Sequence, residues 1–567
     1  NQNYTATAAS TIGNGSSNNT LTVLNSIWDN KGQNLNLGSG AAISNVFNIS
    51  SSVVTNIGIV TLGASGFNVM TVTNSTIGFS GNNYLLIGQT SLSNRVTVQA
   101  GTVWNFNGMG GAARSLVIGG ANTTGNVLYI DGGVLTNLTT GNSAGVNAGV
   151  YGNFNSLVIT NGGTMYVNWH GYGNFVAGQT STGSWMTVDN GFFMFTNANG
   201  VATPEFLVGS YGSATNSLTI RNGASVTLAN LYLGGGGGWD TGSYNTSNTL
   251  YVAGTNAAGT KATLKFLNQA VLAISTGPGG TNNWIIVDQG GVITNVSTLS
   301  IGTGLLTANS GVLVTNGGEL YTSALNVRGS NNAVLVNGGT SATGSRLSAS
   351  GLISLGTSAG MWNSMLVSNA TILNAGGASI GNGSSNNTVT VLENVTWNML
   401  SNQLQFGNGT GNVLSIASSS VVTNVGGIGL VGSNLTFNLT NNILMGSGYD
   451  VVTSRVFLAG GSLTVGGTAG LGNNTLTLSN ELYSGSALSV VGAGSSNNTL
   501  TILTNTIWGI GGGLTIGSTA ATGNTVTVNG GTVSNVAAGA VTIGAVAAGN
   551  FSNTLSIFNG GQWFGGA

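Results

Sequence analysis

Ten carboxylates are the residues best able to do chemistry in this 567-residue chain: Asp29, Asp131, Asp189, Glu205, Asp240, Asp288, Glu319, Glu393, Asp450 and Glu481. Hydrolysis of a glycosidic bond needs two carboxyl groups facing one bond, one to protonate it and one to attack or to activate water. Here the acids are spread singly, so no such pair is read from their spacing. Asp189 and Arg221 follow "MTV" and "LTI" at the same point of an internal repeat. They are expected to touch as a solvated corner ion pair. Asp288 takes that point farther along. His170 is the single histidine, and there is no cysteine, which excludes disulfides and thiolate metal sites. "GNSAG" at Gly141 and "GTSAG" at Gly356 match a nucleophile elbow. Neither precedes a helical pattern, as that elbow requires. No catalytic residue, cofactor site or metal site is expected, and the chain does not read as an enzyme.

Aromatic side chains cluster more than acids do. Residues 141–260 form a variable, aromatic-rich section with long loops such as "VNWHGYGNF" and "LGGGGGWDTGSYN". Tyr166, Trp169, Tyr172, Trp185, Trp239 and Tyr244 are its candidates for stacking on glycans or a lateral partner. The competing reading is that long loops need small apolar cores of their own.

The elements that would position these groups are legible. "GSSNNTLTVLN" from Gly15 returns as "GSSNNTVTVLE" from Gly383 and "GSSNNTLTILT" from Gly494. A template of L-x-[VI], often N-G-G, a short apolar strand, then [LIV]-x-[IVL]-G recurs along the whole chain. Its first strand appears at Leu21, Leu157, Leu218, Val312, Val526 and Leu555, and its last at Leu85, Leu116, Phe206, Leu299, Leu514 and Val541. Alternation turns Leu21 and Val23 to one face and Thr20 and Thr22 to the other. Asn-Gly-Gly supplies the positive φ that a tight corner needs. The period is about 27 residues over roughly 20 turns, inside the range of solenoids. Stacked at about 4.8 Å per turn, the coil would be about 100 Å long, with apolar columns inside and asparagine ladders at corners. The fold class expected is all-β, a right-handed parallel β-helix or three-sided β-solenoid, continuous over residues 1–567.

Composition agrees. Charged residues make up 3% and apolar residues 41%, and the net charge is −1. Disorder wants fewer apolar residues and more charge. No basic patch exists to neutralise phosphates, so nucleic-acid binding is not expected. No apolar run approaches the roughly 18 residues of a membrane-spanning helix. Low charge also removes repulsion between copies.

"VTVNGGTVSNV" (Val526 to Val536) resembles the autotransporter-associated β-strand repeat of bacterial surface proteins. The resemblance implies a right-handed parallel β-helix secreted or displayed outside the cell. The N-terminus reads as the last strand of a turn, "TATAASTIG", and the C-terminus as a first and a middle strand. Both ends read as uncapped, and unpaired edges template further strands. Thr5, Thr7, Ile12, Trp563 and Phe564 are the candidate contacts of a head-to-tail homopolymer. The function expected is that of a structural extracellular protein, with a glycan-binding or surface-binding adhesin as the alternative and a polysaccharide-acting enzyme as the weaker one. "NTLT" and "TVTV" also suggest an ice-binding threonine face. The equivalent outward positions at Tyr129, Val158, Tyr251 and Leu313 interrupt it, so no such face is expected.

Overall fold

The computed structural model describes residues 3–565 apart from 82, 89, 108–114, 141–146, 170–173, 198–203, 236–243, 268–269, 277–278, 304–305, 340–343, 358–359, 417–419, 431–435, 441–442, 445–454, 459–462, 467–471, 480–481, 486–487, 536–538 and 546–548. The described elements are β-strands joined by turns, and the chain divides into two compact units, Asn1–Ser297 and Thr298–Ala567.

One coil shows how sequence becomes structure. Its first strand is Thr20–Leu24, its middle strand Ile27–Asp29 and its last strand Leu35–Ser39. Each pairs in parallel with its counterpart in the next coil: Leu21 with Phe47, Trp28 with Val54, and Leu37 with Leu62. The same three-strand pattern recurs, giving about 17 turns of about 27 residues. The strands expected at Leu157, Leu218, Val312, Val526 and Leu555 all form, within Ser156–Thr160, Ser217–Arg221, Gly311–Thr315, Thr525–Asn529 and Thr554–Phe558.

Alternation fixes the core. In Val46–Ser50, Phe47 and Ile49 are buried while Val46, Asn48 and Ser50 keep partial exposure. Stacking repeats that division in register, so apolar columns run through each unit. Its driving force is the ordinary one, roughly 25 cal/mol per Å² of apolar surface removed from water.

The polar words of the repeat have a job of equal weight. The residue just before most first strands is an asparagine, buried in the inner coils. Asn45 Oδ1 accepts from both the main-chain N–H and the side-chain amide of Asn19, at 3.0 and 2.9 Å. Asn68 does the same for Asn45, Asn94 for Asn68, and Asn126 for Asn94. Ser184 interrupts the row in the first unit, donating its hydroxyl to Gly152 O and accepting from Asn155 N. Asn474, Asn498, Asn524 and Asn553 form such a row in the second unit. A buried amide left unpaired is costly, so a one-residue slip of any strand is strongly disfavoured. The terminal glycine of the "LxIG" strand belongs to this device. Gly492 has φ +81°, and a Cβ there would lie 2.3 Å from the Asn524 amide nitrogen.

Outward residues of the last strands are not all exposed. Val117, Val176, Leu207 and Ala273 are buried although they sit on the side away from the coil interior.

Candidate interaction surfaces

Asp29, Asp131, Asp189, Glu205, Asp288 and Glu319 are each held by an amide, a hydroxyl or a base, while Asp240, Asp450 and Glu481 lie outside the described residues. Register places Asp131, Thr160, Asp189, Arg221, Ala253 and Asp288 in one outward column. Arg221 meets Asp189 Oδ2 at 2.8 Å through both Nε and a terminal nitrogen, and Asn222 donates to the other oxygen at 2.8 Å. The expected contact is formed, and it is a surface pair with the arginine side chain 51% exposed. Such pairs contribute at most about 1 kcal/mol. Asn161 donates to Asp131 at 2.6 Å. Tyr251 donates its hydroxyl to Asp288 at 3.0 Å, and burial, then that carboxylate, push its pKa above the usual value, with Arg221 opposing. Tyr321 is raised in the same way, by burial and by its bond to Glu319. Asp29 holds Lys31 at 2.8 Å and accepts from Asn56, which lowers its pKa to about 2. Among the described residues no group of three or more His, Cys, Asp or Glu is placed to hold a metal.

The aromatic candidates are distributed rather than gathered. Tyr166 is exposed on a middle strand and packs on Phe192 at 5.4 Å. Trp169 ends that strand, half-buried. Trp185 begins a first strand and is exposed. Tyr244 is the most open, 68% exposed, beside Gly279. Tyr172 and Trp239 lie outside the described residues, as do His170 and the "GNSAG" stretch. Much of the aromatic density turns inward: Phe175, Phe193, Phe195 and Phe206 are fully buried, with Phe175 stacked on Phe206 at 5.5 Å. The signal for this was present, since all four are alternate residues of strands.

The end coils show how their candidates are placed. Thr5 lies in strand Asn3–Thr5 and Thr7 in the following bend, both exposed. Ile12 is buried. Asn3–Thr5 pairs with Ile27–Asp29 and Ser10–Asn14 with Leu35–Ser39. The N-terminal stretch is therefore a middle strand followed by a last strand, not a last strand alone. What adds the extra strand is Tyr4, which packs edge-on against Trp28 at 5.5 Å. Tyr4, Ile12, Leu21, Val23, Ile27 and Trp28 line a cavity of about 470 Å³ that opens into the coil interior. At the other end Trp563 is half-buried and Phe564 exposed, in a middle strand paired with Thr532–Asn535. Ile557 and Ile543 are 44% and 47% exposed, whereas Val528 and Ile516, their partners one coil back, are 0%.

Comparison with protein families, with curated proteins and with solved structures finds no match for the chain.

Proposed function

We propose that the chain is a structural, extracellular, non-enzymatic β-solenoid subunit that stacks head to tail into a filament or surface fibre. A right-handed, three-sided winding of the autotransporter-passenger kind belongs to the same reading. The observation that carries it is register. Described coils inside a unit offer the next main-chain partners, an apolar column and, in most of them, an asparagine amide. Among the described residues Asn3–Thr5 and Gln562–Phe564 each pair with a coil on one side, and a further coil would use the same main-chain pairing on the other. Half-exposed Ile557 and Ile543 above fully buried equivalents are what a further coil would cover. Such a contact is heterologous, and it grows without limit unless its rotation closes a ring.

The test is the 567-residue chain itself, followed by sedimentation and negative-stain microscopy as concentration rises. Fibres that appear with concentration, and that a Tyr4→Lys, Ile557→Lys double variant abolishes while its circular dichroism stays unchanged, support the proposal. A chain that keeps single-chain mass at high concentration refutes it. The exposed rings of Tyr244 and Trp185 favour the adhesin as a second reading. Binding to a glycan array that is lost in Trp185→Ala would select it.

A further inference from the structure

The outward threonine column breaks in the first unit as the sequence suggests: Thr97, Tyr129, Val158, Thr187, Thr219, Tyr251 and Ile286 succeed one another in register. The second unit differs. From Thr475 onward one outward position of successive first strands reads Thr475, Thr499, Thr525, Thr554. The position two residues on reads Thr477, Thr501, Thr527, Ser556. These are two adjacent columns, entirely of hydroxyl-bearing residues, across four directly paired strands.

We propose that this double column is an ice-binding face: a site for the surface of crystalline water. Its spacing, chemistry and rigidity support it. The mesh is set by β geometry at about 4.8 Å between coils and about 6.7 Å between alternate residues, giving an array about 14 Å long. That mesh lies close to the repeat of oxygen atoms on the prism face of hexagonal ice. Threonine supplies a methyl group and a hydroxyl at each node. Thr475, Thr477, Thr499, Thr501, Thr525 and Thr527 are partly exposed, and their hydroxyls have no hydrogen-bond partner among the described residues, so they are free to bond water.

The face also carries no charge to hold a competing hydration shell. The next outward positions are Ser479, Leu503, Asn529 and, in the last of these strands, Phe558. The array is rigid, because the asparagine row stands one residue before the threonines. Asn474, Asn498 and Asn524 are fully buried, and each donates its amide to the next, at 2.8, 2.8 and 3.0 Å. Leu476, Leu478, Leu500, Ile502, Val526 and Val528 anchor the same strands from inside. Rigidity matters because each water-mediated contact is weak, and only an array ordered before binding avoids the entropy of ordering it. Among the described outward residues of the face no aromatic ring occurs before Phe558, which favours ice over a sugar chain as its occupant.

This inference does not depend on self-assembly, and the assay is run on single chains checked by light scattering. Freezing hysteresis and partition of labelled protein into a growing ice hemisphere are measured for the wild type. Thr501→Tyr places a bulky ring at the centre of the face, Thr501→Val removes only a hydroxyl, and Thr71→Tyr is the control on an outward position of the first unit. The wild type is expected to enter ice and depress freezing. Thr501→Tyr is expected to lose both effects, Thr501→Val to keep a reduced effect with an unchanged fold, and Thr71→Tyr to match the wild type. Exclusion of the folded wild type from ice overturns the proposal. So does equal activity in Thr501→Tyr, equal loss in Thr71→Tyr, or retention on crystalline cellulose without entry into ice.

Discussion

Replacing Asn498 by alanine probes the device that holds the coils in register. The Asn498 side chain is fully buried and makes four hydrogen bonds. Its Oδ1 accepts from Asn474 N at 3.2 Å and from Asn474 Nδ2 at 2.8 Å. Its Nδ2 donates to Ser495 Oγ at 2.9 Å and to Asn524 Oδ1 at 2.8 Å. Alanine takes this acceptor from two donors of a buried neighbour, while Asn524 Oδ1 keeps the main-chain N–H of residue 498. At about 1–3 kcal/mol for each buried donor deprived of its acceptor, the loss is about 2–6 kcal/mol. In a stacked array that cost is local, carried by the interfaces of one coil with its two neighbours. A whole-chain melt would dilute it, so native-state hydrogen exchange is the suitable assay. Amides of Asn474, of residue 498 and of the strands on either side should exchange about 30-fold faster or more, since about 1.4 kcal/mol is tenfold. Strands several coils away should be unchanged. Protection at Asn474 within a few-fold of wild type would refute the claim that the amide row fixes register. Uniform loss across the unit would refute the claim that the cost is local.

Two further outcomes follow from the same geometry. Gly492→Ala combines a left-handed backbone at φ +81° with a Cβ 2.3 Å from the Asn524 amide, and should cost about 2–4 kcal/mol in urea unfolding, of which backbone strain supplies about 1–3. A cost below that of a surface substitution would mean the glycine is not required. Asp29 should titrate with a midpoint near 2 in a carbon-detected NMR titration, because Lys31 and Asn56 bond its carboxylate. A depressed folded pKa means that its contribution is whole above the usual carboxylate value of 3.8 and is lost as pH falls toward 2. Lys31→Ala should move the midpoint up, and a midpoint of 3.8 in the wild type would show that the corner does not form.

How much was legible depends on the range of the interaction concerned. The recurrence of "SSNNTLTV" and "LxIG" shows strand, corner and period, because alternation and positive-φ corners are decided within a few residues. The ion pair of Asp189 with Arg221 was legible too, since both follow the same repeat word. The aromatic section was harder to read. Phe175, Phe193, Phe195 and Phe206 look like the exposed candidates in composition and differ from them in strand phase, which decides inside from outside.

The sequence by itself determined that this chain coils and which residues of each strand face inward. Only the tertiary structure decided which coils are neighbours across loops of unequal length. Thr436 and Thr475 are 39 residues apart and yet directly paired, while Thr499 and Thr525 are paired at 26. Loops can lengthen without disturbing the strands they join, because closing a longer surface loop costs little. A face that spans several coils is therefore invisible as a sequence period. It emerges only when the asparagine row and the apolar columns bring its threonines into line.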